Sequence, residues 1–402
     1  MSDRSMSMAP HRRTITELVV YSLGLFAIQV FWGFNSSTMP LRLLDLTGSA
    51  GLTGIILSSA GIFGAVAPVL AGSVSDRAVT RWGRRIPFIA CGWTVTIAAI
   101  CALSFAESAA AAVPLTLLLY AGFFSAVGPY FALLPDITPE EQRGTASGIM
   151  FMVGGTGIIS YLLLGAGSGV TDSHTPFLWA IGLTAVPVAA MTLGTREGDP
   201  GGHERPALGL IAGALRNHAV LSFFMAQVLW WTGIWMVSSF FVHACRVMLG
   251  LATGAAVELF LLFTACFVVF ALPAGLLGRR LGALRVMSGG LVMLAASLAI
   301  ISIAPRQGIV YPLLVSAGAG YAAVLAVSFS YFMELLPPGR TAGYMGLYMA
   351  CQNGALLFGP AAGGAAIEAF GPRGLFAGAA LFIAAGLALL LALSANKSGR
   401  RH

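Results

Sequence analysis

Apolar residues in this chain come in long runs separated by short polar breaks. They follow neither the alternate-residue spacing of a half-buried strand nor the single apolar stripe of a surface helix. A helix needs about 20 apolar residues to cross the hydrocarbon core of a bilayer. On that measure the pattern predicts spans over 17–40, 50–74, 86–106, 112–134, 143–167, 174–194, 218–246, 252–277, 284–304, 309–334, 341–368 and 373–396. The expected fold class is an all-α membrane protein with twelve transmembrane helices. One break is longer than the rest, residues 195–217, rich in Gly, Pro and charge. It reads as a linker between two six-helix bundles, 17–194 and 218–396, with residues 1–16 and 397–402 as tails.

Composition points the same way. Hydrophobic residues make up 57% of the chain and charged ones 9%, whereas a soluble domain carries roughly 25% charge. Fifty glycines suit helices that pack closely within a bilayer. With the amino terminus inside, only Arg42, Arg246, Arg306 and Arg373 of the 22 Lys and Arg fall on the outer side. That asymmetry sets both termini in the cytoplasm and the chain in a cytoplasmic (inner) membrane. The net charge of +7 sits in short loops with no basic domain, so a nucleic-acid partner is not expected. Arg4, Arg12 and Arg13 ahead of the first run would fit a signal peptide, but the run continues without a small-residue cleavage pattern and reads as a retained helix. Cys91, Cys101, Cys245, Cys266 and Cys351 lie in or beside apolar runs without CxxC spacing. They are expected to be buried, with no disulfide, metal or cofactor. No nucleophile–base spacing and no phosphate-cradling loop appears, so neither an enzyme nor direct ATP drive is expected.

The densest charge lies in Gly72-Ser-Val-Ser-Asp76-Arg77-Ala-Val-Thr-Arg81-Trp82-Gly83-Arg84-Arg85-Ile86-Pro87, between the second and third spans. A Gly four residues before Asp-Arg, closed by Gly-Arg-Arg, resembles the loop signature of the major facilitator superfamily. The ending Arg81-Trp-Gly-Arg-Arg-Ile-Pro-Phe88 is similar to its glycoside-pentoside-hexuronide/cation symporter and sucrose-transporter branch. The resemblance implies two pseudosymmetric six-helix bundles and alternating access by a rocker switch. It also implies that Asp76 bridges the halves near Arg340–Thr341. Weak internal repeats agree: Gly275 to Gly282 echoes the first loop, and Asp136-Ile-Thr-Pro139 through Arg143 is answered by Glu334-Leu-Leu-Pro337 through Arg340. Asp76, Arg77, Arg81, Arg84, Arg85, Asp136, Arg143, Glu334 and Arg340 form the expected gating set. The alternative is a static loop network that only fixes topology.

A substrate site is expected near the midplane. Gln29, Trp32 and Asn35 mark span 1, Tyr120 span 4, Gln227 and Trp231 span 7, Tyr321 span 10, and Gln352 and Asn353 span 11. Amides both donate and accept hydrogen bonds, and aromatic rings stack on apolar sugar faces, so the set suits a neutral polyhydroxyl solute. The same amides also serve as helix-to-helix hydrogen bonds in many membrane proteins. Trp230, Trp231 and Trp235 cannot all face one cavity, because adjacent helix positions point about 100° apart. For coupling, Glu258 in span 8 is the candidate proton carrier, with His243 and Arg246 as partners or as members of a structural ion pair. Glu107, Asp172, Glu368 and Asp45 read as structural. Residues 64–68 hold no carboxylate where melibiose-type relatives carry paired aspartates, so a sodium site is not expected. The expected activity is import of a sugar or glycoside by a monomer. Gly359-Pro360-Ala-Ala-Gly363-Gly364, similar to a drug/proton antiporter pattern, keeps export of drugs or amphipathic metabolites as the alternative.

Overall fold

The computed structural model of the chain describes residues 12–78, 80–168, 174–197, 218–335 and 341–399. Helices α1 (Ile15–Ser37), α2 (Met39–Thr47), α3 (Ala50–Ser75), α4 (Ile86–Ser104), α5 (Ala109–Ile137), α6 (Arg143–Ser168) and α7 (Thr175–Gly194) precede residues 195–217. They are followed by α8 (His218–Leu249), α9 (Thr253–Leu281), α10 (Ala283–Ile303), α11 (Gln307–Glu334), α12 (Thr341–Gly354) and α13 (Gly359–Gly399). No strand occurs among the described residues, apart from one isolated bridge between Arg81 and Gly83.

Local sequence accounts for the helix ends. Pro40, Pro87 and Pro176 sit in the first turns of α2, α4 and α7, where a missing N–H costs nothing. Gly48 (φ 65) closes α2 and Gly282 (φ 91) separates α9 from α10. Eleven helical stretches among the described residues are long and apolar enough to cross a membrane. The last, Tyr348–Ala392, is 45 residues long, about twice what one crossing needs. It breaks at Gly371 (φ 70), and the break makes the twelfth span. The protein is thus an all-helical integral membrane protein. The run expected as 17–40 instead ends at Ser37, and Met39–Thr47 forms a separate short helix.

By contact, the described chain falls into two compact units. The first holds α1 to Asn35, α3 from Phe63, α4, α5, α6 to Leu164, and α7. The second holds Ser36–Ile62 and α8 to α13. In the first, α4 and α5 touch backbone to backbone. A Cβ on Gly92 would stand 2.7 Å from the carbonyl oxygen of Gly122, and one on Gly122 2.8 Å from that of Gly92. In the second, Gly290 of α10 and Gly320 of α11 face each other in the same way, at 2.6 Å in both directions. The two glycine pairs are offset by one spacing (290 − 92 and 320 − 122, both 198). The same spacing relates Gln29 to Gln227, Trp32 to Trp230 and Asp136 to Glu334. Each unit thus repeats the other's internal helix contact, as a duplicated half would.

Candidate functional site

At the arginine-rich end of the first unit, a charged clasp is built on the start of α4 and the end of α5. Arg85 Nε donates to Asp136 Oδ2 at 2.5 Å and Arg84 Nη2 to the same oxygen at 2.9 Å. A second Arg85 nitrogen, Nη2, lies 3.2 Å from Asp76 Oδ1. Arg85 and Asp136 are only 3% and 5% exposed, so this is a buried, charge-assisted network rather than a surface pair. Arg77 and Arg81, expected in the same network, are exposed and form no ion pair among the described residues; Arg81 lies 4.9 Å over the Trp82 ring. Arg143 is exposed and donates to the Pro135 carbonyl at 3.4 Å. Glu334 is exposed at the end of α11, and Arg340 lies outside the described residues.

The clasp has a further member that sequence reasoning missed. Glu197, just past α7, accepts from the main-chain amides of Arg84 (2.7 Å), Arg85 (2.7 Å) and Ile86 (2.6 Å). Its carboxylate thus fills the anion site that every helix start presents, here that of α4. A signal was there to read: α4 begins with Arg85 at its cap position, which supplies no side-chain acceptor of its own. Gly83 is required beside it. It has φ 101, and a Cβ there would stand 2.5 Å from the Glu197 carboxylate carbon. Gly83→Ala should therefore destabilise the protein by about 1–3 kcal/mol through backbone strain alone. Thermal unfolding in detergent checks this, and an unchanged midpoint would refute it. Arg13 binds the same end together from the amino-terminal side. It exchanges main-chain hydrogen bonds with the Gln142 amide (2.9 and 2.6 Å), and its guanidinium reaches the carbonyls of Ile137 and Arg196.

The uncharged candidates fall into two clusters, one in each unit. In the first, the Tyr120 hydroxyl donates to Asn35 Oδ1 at 2.8 Å, both groups being buried. Trp32 stands edge-on to Phe123 and Phe124, and Gln29 lies half-buried a turn away on α1. In the second, Gln227, Trp231 and Trp235 share one face of α8 at successive i, i+4 positions. Gln227 Nε2 donates to the Tyr348 carbonyl at 3.3 Å, and Trp235 Nε1 to that of Gln352 at 3.4 Å. Trp231 stacks on Trp235 and meets Tyr321 edge-on, while Tyr321 packs against Phe263 and Phe267. Asn353 is half-buried next to Gln352. Trp230 points elsewhere, edge-on to Phe223. Two buried polar atoms of this cluster, Gln227 Oε1 and Trp231 Nε1, have no hydrogen-bond partner among the described residues. Leaving such an atom unpaired costs about 1–3 kcal/mol, and a bound solute can recover it.

The coupling candidates are not brought together. Glu258 is exposed on α9, His243 and Arg246 are half-buried on α8, and no ion pair joins them among the described residues. Apolar runs locate a residue along a helix but not around it, and Glu258 falls on an exposed face of α9. Two cysteines also depart from expectation. Cys91 and Cys101 are exposed on α4, where a membrane helix turns an apolar face to lipid.

Membrane-crossing helices that carry a buried ion-pair clasp and uncharged amide–aromatic clusters are the arrangement of a membrane transporter. The Major Facilitator Superfamily model matches residues 21–259 and 247–401, and the chain belongs to that family. Among solved structures it is similar to the nucleoside transporter NupG, with a TM-score of 0.78 and 17% identity over 95% of this chain and 99% of that one. It is similar also to the peptide transporter POT bound to sulfate (TM-score 0.75, 14% identity, 98% of each chain). A third is a bacterial homolog of the human lysosomal transporter Spinster (TM-score 0.69, 15% identity, 94% of each chain). At these identities the likeness concerns the fold. No curated protein matches this chain.

Proposed function

We propose that the protein is a secondary carrier for a small neutral polar solute, a sugar or glycoside in the first place. It works across the cytoplasmic membrane, with both termini inside, by rocking of the bundles 17–194 and 218–396 about a midplane site. One observation carries the reading. Among the described residues, the charged side chains that are buried are Arg85 and its partner Asp136, both of the clasp; the other buried polar side chains are uncharged. A charged solute would need a buried counter-charge, and the clusters offer none. They offer an unpaired acceptor on Gln227, an unpaired donor on Trp231, and aromatic faces beside both. A nucleoside, the solute named for NupG, is of the same neutral, hydroxyl-bearing kind. In the Gly359–Gly364 run that keeps export as the alternative, Gly364 lies against the backbone of Ala50 within the second unit, a packing contact that speaks for neither direction of transport.

In this reading proton coupling rests on Glu258. The test is uptake into proteoliposomes of a panel of sugars, glycosides and nucleosides, with and without an inward proton gradient. Saturable uptake of one class, accumulated only with the gradient, is expected. Glu258→Gln should then abolish accumulation and spare exchange. Extrusion of hydrophobic cations without uptake of any panel member would favour the export reading, and equal uptake with and without the gradient would remove the proton.

A further inference from the structure

Tyr130 of α5 reaches into the main chain of α1. Its hydroxyl accepts from the Leu25 amide at 3.0 Å and donates to the Tyr21 carbonyl at 3.3 Å. Those two groups are four residues apart, so they are also the partners that an uninterrupted helix joins directly. The ring lies on Gly24, where a Cβ would collide with it. In return the Tyr21 hydroxyl donates to the Tyr130 carbonyl at 2.9 Å, and the two rings stack with centroids 4.9 Å apart. Both tyrosines are buried. From α6 the same turn is met by glycines. A Cβ on Gly154 would stand 2.5 Å from the Leu25 side chain, and one on Gly157 would collide with the Phe26 carbonyl.

The Tyr130 hydroxyl adds little to stability. Without it the Leu25 amide and the Tyr21 carbonyl still have each other, so the exchange of partners roughly balances. What it changes is direction, because a side chain that enters the i to i−4 ladder bends the helix there. Before this turn α1 is anchored: Arg13 reaches Glu17 at 3.0 Å and the carbonyls of Ile137 and Arg196. After it come Gln29, Trp32 and Asn35, the residues α1 gives to the cluster that includes Tyr120. We propose that Tyr130 is a positioning residue for that cluster: its hydroxyl sets the course of α1 at Gly24–Leu25 and so aims Gln29, Trp32 and Asn35 at the solute. The aim at a solute rests on the carrier reading above; the bend rests on α1 and α5 alone. The device belongs to one half of the chain. At the 198-residue offset Ser328 stands for Tyr130 and Ala219 for Tyr21, and the Ser328 hydroxyl pairs instead with that of Tyr348 at 2.6 Å.

The test is cysteine labelling of the full chain in liposomes, on a background whose five cysteines have been replaced. A small methanethiosulfonate reagent reports on Gln29→Cys, beyond the turn, and on Val19→Cys, an exposed position before it. Tyr130→Phe should change the labelling rate of Gln29→Cys about fivefold, the factor that one hydrogen bond's net worth of about 1 kcal/mol amounts to. The rate at Val19→Cys and the thermal unfolding midpoint should stay at parental values. Gly24→Ala, which drives the ring off α1, should give the same shift at Gln29→Cys; if it does not fold, Tyr130→Phe decides. An unchanged rate at Gln29→Cys with Tyr130→Phe would overturn the proposal. Equal changes at both positions, or a Tyr130→Phe chain that does not fold, would overturn it too, since the hydroxyl would then be holding the fold and not aiming α1. With the native cysteines, Tyr130→Phe should raise KM about fivefold for the sugar, glycoside or nucleoside taken up and keep the maximal rate; a parental KM would count against positioning and overturn it. A parent that takes up no member of the panel yet shows the shift at Gln29→Cys would refute the carrier reading and leave the bend standing.

Discussion

Replacing Asp136 by Ala is expected to lower stability by about 3–5 kcal/mol, the usual result of leaving a buried charge without its partner. The carboxylate receives Arg84 and Arg85 on one oxygen. Arg85 is 3% exposed, and after the substitution its remaining carboxylate partner is Asp76, which is itself half exposed. The amides at the start of α4 keep Glu197, so the helix should persist while the arginines above it reorganise. Asp136→Asn should fall between parent and Ala, because an amide accepts a hydrogen bond but supplies no charge. Thermal unfolding in detergent measures the loss. Asp76→Ala is the control and should cost less, since Asp76 is half exposed and Arg85 keeps Asp136. If Asp136→Ala unfolds at the parent's midpoint, the clasp is not a stabilising network.

Gln227→Leu should cut transport far more than it harms the fold. The substitution removes one hydrogen bond, to the Tyr348 carbonyl, together with an orphaned acceptor that the folded chain gains nothing by burying. Removing an unsatisfied polar atom can even stabilise a protein. If the orphan is there to meet solute, its loss costs about 1–3 kcal/mol of binding. At 1.4 kcal/mol per tenfold, that is roughly a 5- to 150-fold rise in apparent Kd. Trp231→Phe keeps one aromatic ring but loses the pyrrole ring with its N–H, so it should weaken binding while leaving a smaller ring to pack on Trp235. Substrate-dependent thermal shift and uptake read both variants. A Gln227→Leu protein with parental uptake would place the site elsewhere.

The span pattern was legible because membrane helices need uninterrupted apolar runs, and their ends are marked by few residue types. Pro87 starts α4, and Gly371 with Pro372 marks the last break. The clasp was legible for a related reason: charge is so rare here that Arg84, Arg85 and Asp136 stood out. What stayed hidden was direction around a helix and contact across sequence. Helices that are apolar on every face give no phase, so Glu258 could be placed along α9 but not towards or away from Arg246. Adjacent tryptophans on α8 raised the same difficulty, and only the packing separates Trp231, beside Tyr321, from Trp230, beside Phe223. Glu197 escaped because it caps a helix more than a hundred residues away, and a carboxylate in a loop looks alike with or without such a task. The repeat of Asp136-Ile-Thr-Pro139 by Glu334-Leu-Leu-Pro337 was legible in the sequence, and the glycine contacts of the two units fall on the same 198-residue offset.

The Glu197 cap has a bearing on how the protein is made. Synthesis runs from the amino terminus, so α4 enters the bilayer well before the residue that satisfies its first amides has been translated. Until α7 is complete, the loop bearing Arg84 and Arg85 has Asp76 and Asp136 to hold it but nothing on its main chain. The arrival of one late glutamate then closes the first half, before α8 has begun to emerge.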